Sequence, residues 1–96
     1  MNHGIFIVKI IEKSIDLTYS TELVLKIPIQ FAQIKSKTSQ QPLSLILWGT
    51  FREDFLKYYK IKDYLLVEGI ITSSNYQNQE DEINLIAKRV YPFLLD

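Results

Sequence analysis

Residues 43–73 read LSLILWGTFREDFLKYYKIKDYLLVEGIITS, a strand, a helix and a second strand in succession. Leu43 to Gly49 alternates: Leu43, Leu45 and Leu47 fall on one face, Ser44, Ile46 and Trp48 on the other. That period of two is a strand with a core face and an outer face. Thr50 then fits a helix N-cap, and Glu53 three residues later completes a capping-box pattern. Phe51, Phe55, Tyr58 and Tyr59 follow at i, i+4, i+7 and i+8, which makes an aromatic stripe along one side of the predicted helix. Arg52, Glu53, Asp54, Lys57 and Lys60 fill its solvated side. Asp63 to Ser73 returns to strand character, interrupted at Gly69 by a predicted bulge or barrel corner.

Working outward, Gly4 to Lys13 is a strand rich in β-branched and aromatic residues, apolar on both faces. Ser14 to Glu22 is polar and turn-like. In Leu23 to Phe31 the residues Leu23, Leu25, Ile27, Ile29 and Phe31 share one face, as in a half-buried strand. Pro28 has no N–H for a ladder, so it belongs at an edge or a bulge. Residues 34–42 (IKSKTSQQP) form a polar loop, and 74–81 (SNYQNQED) a polar hairpin loop before a last strand, Glu82 to Phe93. Five strands with one short helix after the third predict an all-β, five-stranded Greek-key barrel of the oligonucleotide-binding (OB) type, one domain over residues 1–96. The aromatic stripe is expected to plug one end of that barrel.

Composition narrows the function. The 96 residues suit one core, and 47% of them are hydrophobic. Eleven acidic residues balance eleven basic ones, so a nucleic-acid binder of this composition needs a local basic patch or must lean on stacking. The chain has no cysteine and a single histidine, His3, so thiolate and histidine metal sites are excluded. Glu80, Asp81 and Glu82 alternate direction on an extended chain and do not converge on a cation. No nucleophile–base pair, paired acids or Gly-rich phosphate loop is present, so no enzyme activity, cofactor, metal or small-molecule substrate is expected. No apolar run approaches a membrane span, and the first residues fit neither a secretory signal nor a transit segment. Fourteen isoleucines against two alanines fit AT-rich coding DNA, or simply the preference of strands for isoleucine.

From Leu43 onward the chain resembles the single-stranded DNA-binding protein family. The carriers are Trp48-Gly49 at a strand end, the short amphipathic helix, a basic turn, Val67-Glu68-Gly69, and Tyr76 near the base of a long hairpin. Residues 2–19 resemble the family's opening strand and turn more loosely, with Thr18 at an arginine position. The small plastid-encoded members match best in length and composition, which implies a plastid (chloroplast) location, with the bacterial cytoplasm as the alternative. The resemblance implies an OB fold, single-stranded DNA as partner, a role in DNA replication or repair, and a homotetramer, with a dimer as the other oligomer considered. The chain departs from the family at Ile70 to Ser74, where basic residues are usual, and at Pro42, Ser44 and Lys62, which replace an aromatic, a basic residue and a glycine. It ends at Asp96 directly after the last strand, so recruitment through an acidic tail is not expected.

Sequence-independent binding of single strands combines aromatic platforms with a cationic groove, and stacking contributes about 1–3 kcal/mol per base. The candidates for DNA binding are Trp48, on the outer face of its strand, and Tyr76, in a polar hairpin without apolar neighbours. Lys26, on the polar face of the second strand, and Lys35 and Lys37, in the loop after it, are the candidate phosphate contacts. The expected function is protection of exposed single strands. The alternative is a protein-interaction OB module, a replication accessory with little or no DNA affinity, which the missing basic residues favour.

Overall fold

A computed structural model describes residues 3–19, 21–32, 43–74 and 82–93. The elements run β1 (His3–Ile10), β2 (Ile15–Tyr19), β3 (Glu22–Phe31), β4 (Leu43–Trp48), α1 (Thr50–Tyr58), β5 (Tyr64–Ser74) and β6 (Glu82–Pro92). The sheet order is β1-β5-β6-β4-β3-β2, and a further β1–β3 pairing closes the sheet into a barrel. Only β4 and β6 run parallel; the other pairs are antiparallel. This is the expected OB barrel, with its helix between the third and fourth barrel strands.

Among the described residues six strands stand where five are expected, because the first barrel strand is broken. Residues 14–22 are turn-like in sequence, yet Ile15–Tyr19 pairs with Glu22–Lys26 as a hairpin. Both β1 and β2 lie on the same side of β3, with Ile10 opposite Ile29 and Ile15 opposite Lys26. Residues 11–14 therefore stand against only Ile27 and Pro28, and this excess bends the strand. Pro28 sits within a central strand rather than at an edge, but at the break. Its carbonyl accepts from the Ile11 N–H at 3.1 Å, and its missing N–H faces the corner where no ladder runs.

The interior holds Val8, Ile10, Leu25, Ile27, Ile29, Leu45, Leu47, Phe55, Leu65, Val67 and Leu85. Each such side chain contributes about 1.5–3 kcal/mol on burial. The period of two predicts the middle of β3 correctly. Its first member, Leu23, overhangs the barrel and is exposed, and Phe31 is only partly buried.

Two local expectations about α1 change. Its cap is Gly49, and Thr50 is already helical; no side chain caps the first turn. The chain leaves β4 through φ 65° and ψ −138° at Gly49, a left-handed conformation that only glycine adopts without strain. Tyr58 is exposed, with Lys57 Nζ 5.5 Å from its ring centre, while Phe51, Phe55 and Tyr59 pack on the core. The helix contacts the barrel along the line through residues 51, 55 and 59. Tyr58 lies about 60° from Phe55 on the far side of that line, at the helix end.

Gly69 marks a bulge, as expected, though the extra residue belongs to β6. Glu68 pairs with Arg89 and Gly69 with Ala87, which leaves Lys88 unopposed. Among the described residues no helix is long and apolar enough to cross a membrane.

Candidate nucleic-acid interface

Trp48 ends β4 on the outer face of the barrel. Leu45 and Leu47 turn inward, so the pleat sends Ser44, Ile46 and Trp48 outward. Ser44 and Ile46 are nonetheless buried, whereas Trp48 is 45% exposed. Val24 of β3, directly opposite Trp48 in the ladder, is buried as well. The turn at Gly49 stops the strand at the indole and starts the helix beside it. Trp48 thus stands at the rim where strand and helix meet. A depression of about 300 Å³ adjoins it, lined by Glu22, Leu23, Trp48, Gly49, Arg52 and Glu53.

The charges around this rim are unexpected. Arg52, read as a solvated helix residue, is largely covered; its Nη2 donates to Asp16 Oδ1 of β2 at 2.7 Å. Asp16 shares the pleat face of Leu25, which turns it toward the barrel end that carries the helix. Glu22 and Glu53 complete the lining with two exposed carboxylates.

Lys26 does lie on the same outer face as Trp48, two residues beyond Val24 and opposite Ile46. It is not a free cation. Its Nζ donates to Glu82 Oε2 of β6 at 3.2 Å. Strand β4 lies between β3 and β6, so this ion pair crosses the outer face of β4. A third carboxylate, Glu68, binds Arg89 Nη1 at 3.1 Å and lies 3.2 Å from His3 Nε2 on the β1–β5–β6 side. Lys35, Lys37 and Tyr76 lie outside the described residues, so of the five sequence candidates the structure brings Trp48 and Lys26 onto one face.

Sequence reasoning missed the carboxylates that meet these cations. Asp16 is 36 positions from Arg52, and Glu82 is 56 positions from Lys26. No local spacing rule reaches that far. The available signal was the alternation of each strand combined with the barrel strand order, which places β3 and β6 on either side of β4.

Among the described residues, one ionisable group is clearly shifted. Burial raises the Tyr59 hydroxyl above its ordinary value of 10.0, and the nearby charges of Asp54 and Asp63 push it the same way. It stays neutral near pH 7 and packs against Phe55, ring centres 5.7 Å apart.

A closed five-strand barrel with one plugging helix and an exposed indole on its outer face defines the chain as an OB-fold binding domain. Its backbone matches a crystal structure of the SSB domain of a Synechococcus sp. protein with a TM-score of 0.70, at 19% identity, over 95% of this chain and 94% of that one. No family model matches the chain. A Trieres chinensis protein named "Putative single-stranded DNA-binding protein ycf41" is 39% identical over 104 aligned residues, spanning 100% of this chain and 92% of the relative. The chain belongs to the ycf41 group of the single-stranded DNA-binding protein family.

Proposed function

We propose that the chain is a non-enzymatic, sequence-independent binder of single-stranded DNA that protects exposed strands during replication or repair. The observation that carries this reading is the half-exposed Trp48 on the outer face of an OB barrel. An indole at the rim offers a flat π-face to an unpaired base, and any base has a matching face. Lys26 supplies the nearest phosphate contact, with Lys35, Lys37 and Tyr76 extending the site. Residues 1–96 act as one domain. A single barrel with so few cations binds weakly, so assembly as a homotetramer or dimer raises affinity by presenting several sites to one strand. We place the protein in a plastid: ycf41 is a plastid gene name, and the isoleucine-rich, alanine-poor composition agrees.

A second reading has its own support. Lys26, Arg52 and Arg89 each face a carboxylate, and two more carboxylates lie beside Trp48. That pattern suits a protein-interaction OB module with little DNA affinity. A salt titration with oligo-dT separates the two. The DNA-binding reading expects affinity that falls as salt rises, with the shallow slope of few phosphate contacts. Trp48 is the sole tryptophan, so its fluorescence reports on the site alone and is expected to quench on binding. Folded protein that binds no oligo-dT at low salt leaves the interaction-module reading standing.

A further inference from the structure

We infer that Glu82 is a built-in competitor for the DNA phosphate, occupying Lys26 until a strand displaces it. The inference rests on the DNA-binding reading above and names how that same site is restrained.

Three observations carry it. Over the paired rows of β3 (24–28), β4 (43–48) and β6 (83–86), Lys26 is the one cation on the outer face; Trp48, Ile46, Ser44 and Asn84 hold the neighbouring outward positions. Its charge is already matched by Glu82, at 3.2 Å. The pair joins strands on either side of β4, so it lies across the surface that a strand stacked on Trp48 would follow. Trp48 is opposite Val24, and Lys26 is two residues further along β3, a rise of about 6.6 Å. That is close to the spacing of successive phosphates on an extended strand, so a base on the indole brings a phosphate within reach of Lys26.

The carboxylate and the phosphate are alternative anions for one ammonium. Both partners remain partly open to solvent, side chains 24% and 36% exposed, so the pair is weak enough to exchange. In the free protein the carboxylate neutralises Lys26. On binding, the phosphate takes the Lys26 Nζ and Glu82 returns to water. The net gain from the phosphate contact is thereby reduced, and so is the counterion release that the contact would otherwise show.

The test compares Glu82→Gln with the unsubstituted full chain in oligo-dT titrations at several salt concentrations, read by Trp48 fluorescence and by anisotropy of labelled DNA. Glu12→Gln, at the exposed corner between β1 and β2, is the control for the same change in net charge. Glu82→Gln is expected to bind about three- to ten-fold more tightly than Glu12→Gln. Its salt slope is expected to steepen by about 0.7, the contribution of one phosphate on a single strand. Adding Lys26→Gln to Glu82→Gln should remove both gains. Equal affinity and slope in Glu82→Gln and Glu12→Gln overturn the inference. So does a gain that survives the loss of Lys26, since it would then come from bulk charge. If no variant binds while all remain folded, the DNA-binding reading fails and takes this inference with it. If the unsubstituted chain binds and Glu82→Gln does not improve on it, the inference alone fails.

Discussion

Gly69 on β5 meets the backbone of β6 so closely that a Cβ there would stand 2.2 Å from the carbonyl oxygen of Ile86. Nothing flexible gives way at that point, because the opposing atoms are backbone. Gly69→Ala is therefore expected to destabilise the fold by at least about 2 kcal/mol through overpacking and a displaced ladder. Urea unfolding measures it. A loss below 0.5 kcal/mol, on the order of an ordinary surface change, would mean the two strands separate more easily than this packing implies.

Lys62 makes the opposite prediction. It holds φ at 81° just before β5, a conformation that disfavours any residue with a Cβ. Its N–H donates to Ile10 O at 2.8 Å, and the Asp63 carbonyl accepts from the Ile10 N–H at 2.9 Å, so the backbone there is held in place. Lys62→Gly should raise stability by up to about 1 kcal/mol, the strain relieved exceeding the extra freedom of glycine in the unfolded chain. A lower unfolding midpoint in the variant would show that the lysine side chain contributes more than its backbone strain removes.

Trp48→Ala separates binding from folding. The indole is 45% exposed, so its loss should move the unfolding midpoint little. Affinity for oligo-dT should fall by about 1–3 kcal/mol, the worth of one stacked base. Trp48→Phe should retain part of it. Unchanged affinity in Trp48→Ala would take the indole out of the interface.

Tyr59 predicts the alkaline behaviour. Its hydroxyl is raised above 10.0 in the folded chain by burial and by Asp54 and Asp63. The folded state thus holds its proton more tightly than the unfolded state does. The stability from this group is fully present below pH 10, the ordinary value, and is lost as pH rises through the folded value. Tyr59→Phe should flatten the fall in unfolding midpoint above about pH 10. An identical alkaline profile in the variant and the parent would assign that fall to other groups.

Much of the fold was legible because strand alternation and a five-strand, one-helix order are local properties. Leu25, Ile27 and Ile29 of β3 and Leu45 and Leu47 of β4 announced the core face through spacing alone, and Gly69 announced a bulge. Reading failed where a residue's local chemistry and its long-range pairing disagree. Asp16 looks like a turn former, yet β3 offers it a hairpin partner in Leu25, and the ladder outweighs the local preference. Thr50 looks like a cap, but the chain must turn sharply out of β4 first, and only Gly49 makes that turn cheaply. Tyr58 fits the aromatic stripe, but the helix rolls onto the barrel along Phe55 and Tyr59 instead.

The barrel, the plugging helix and the outward direction of Trp48 follow from periods of two and 3.6 residues that any segment carries within itself. The charge of the outer face is set by chain closure instead. Whether Lys26 and Arg52 stand free or neutralised depends on Glu82 and Asp16, which arrive from distant strands. Coulomb attraction acts through space, over a few ångströms, and chain closure alone sets which charges come that near.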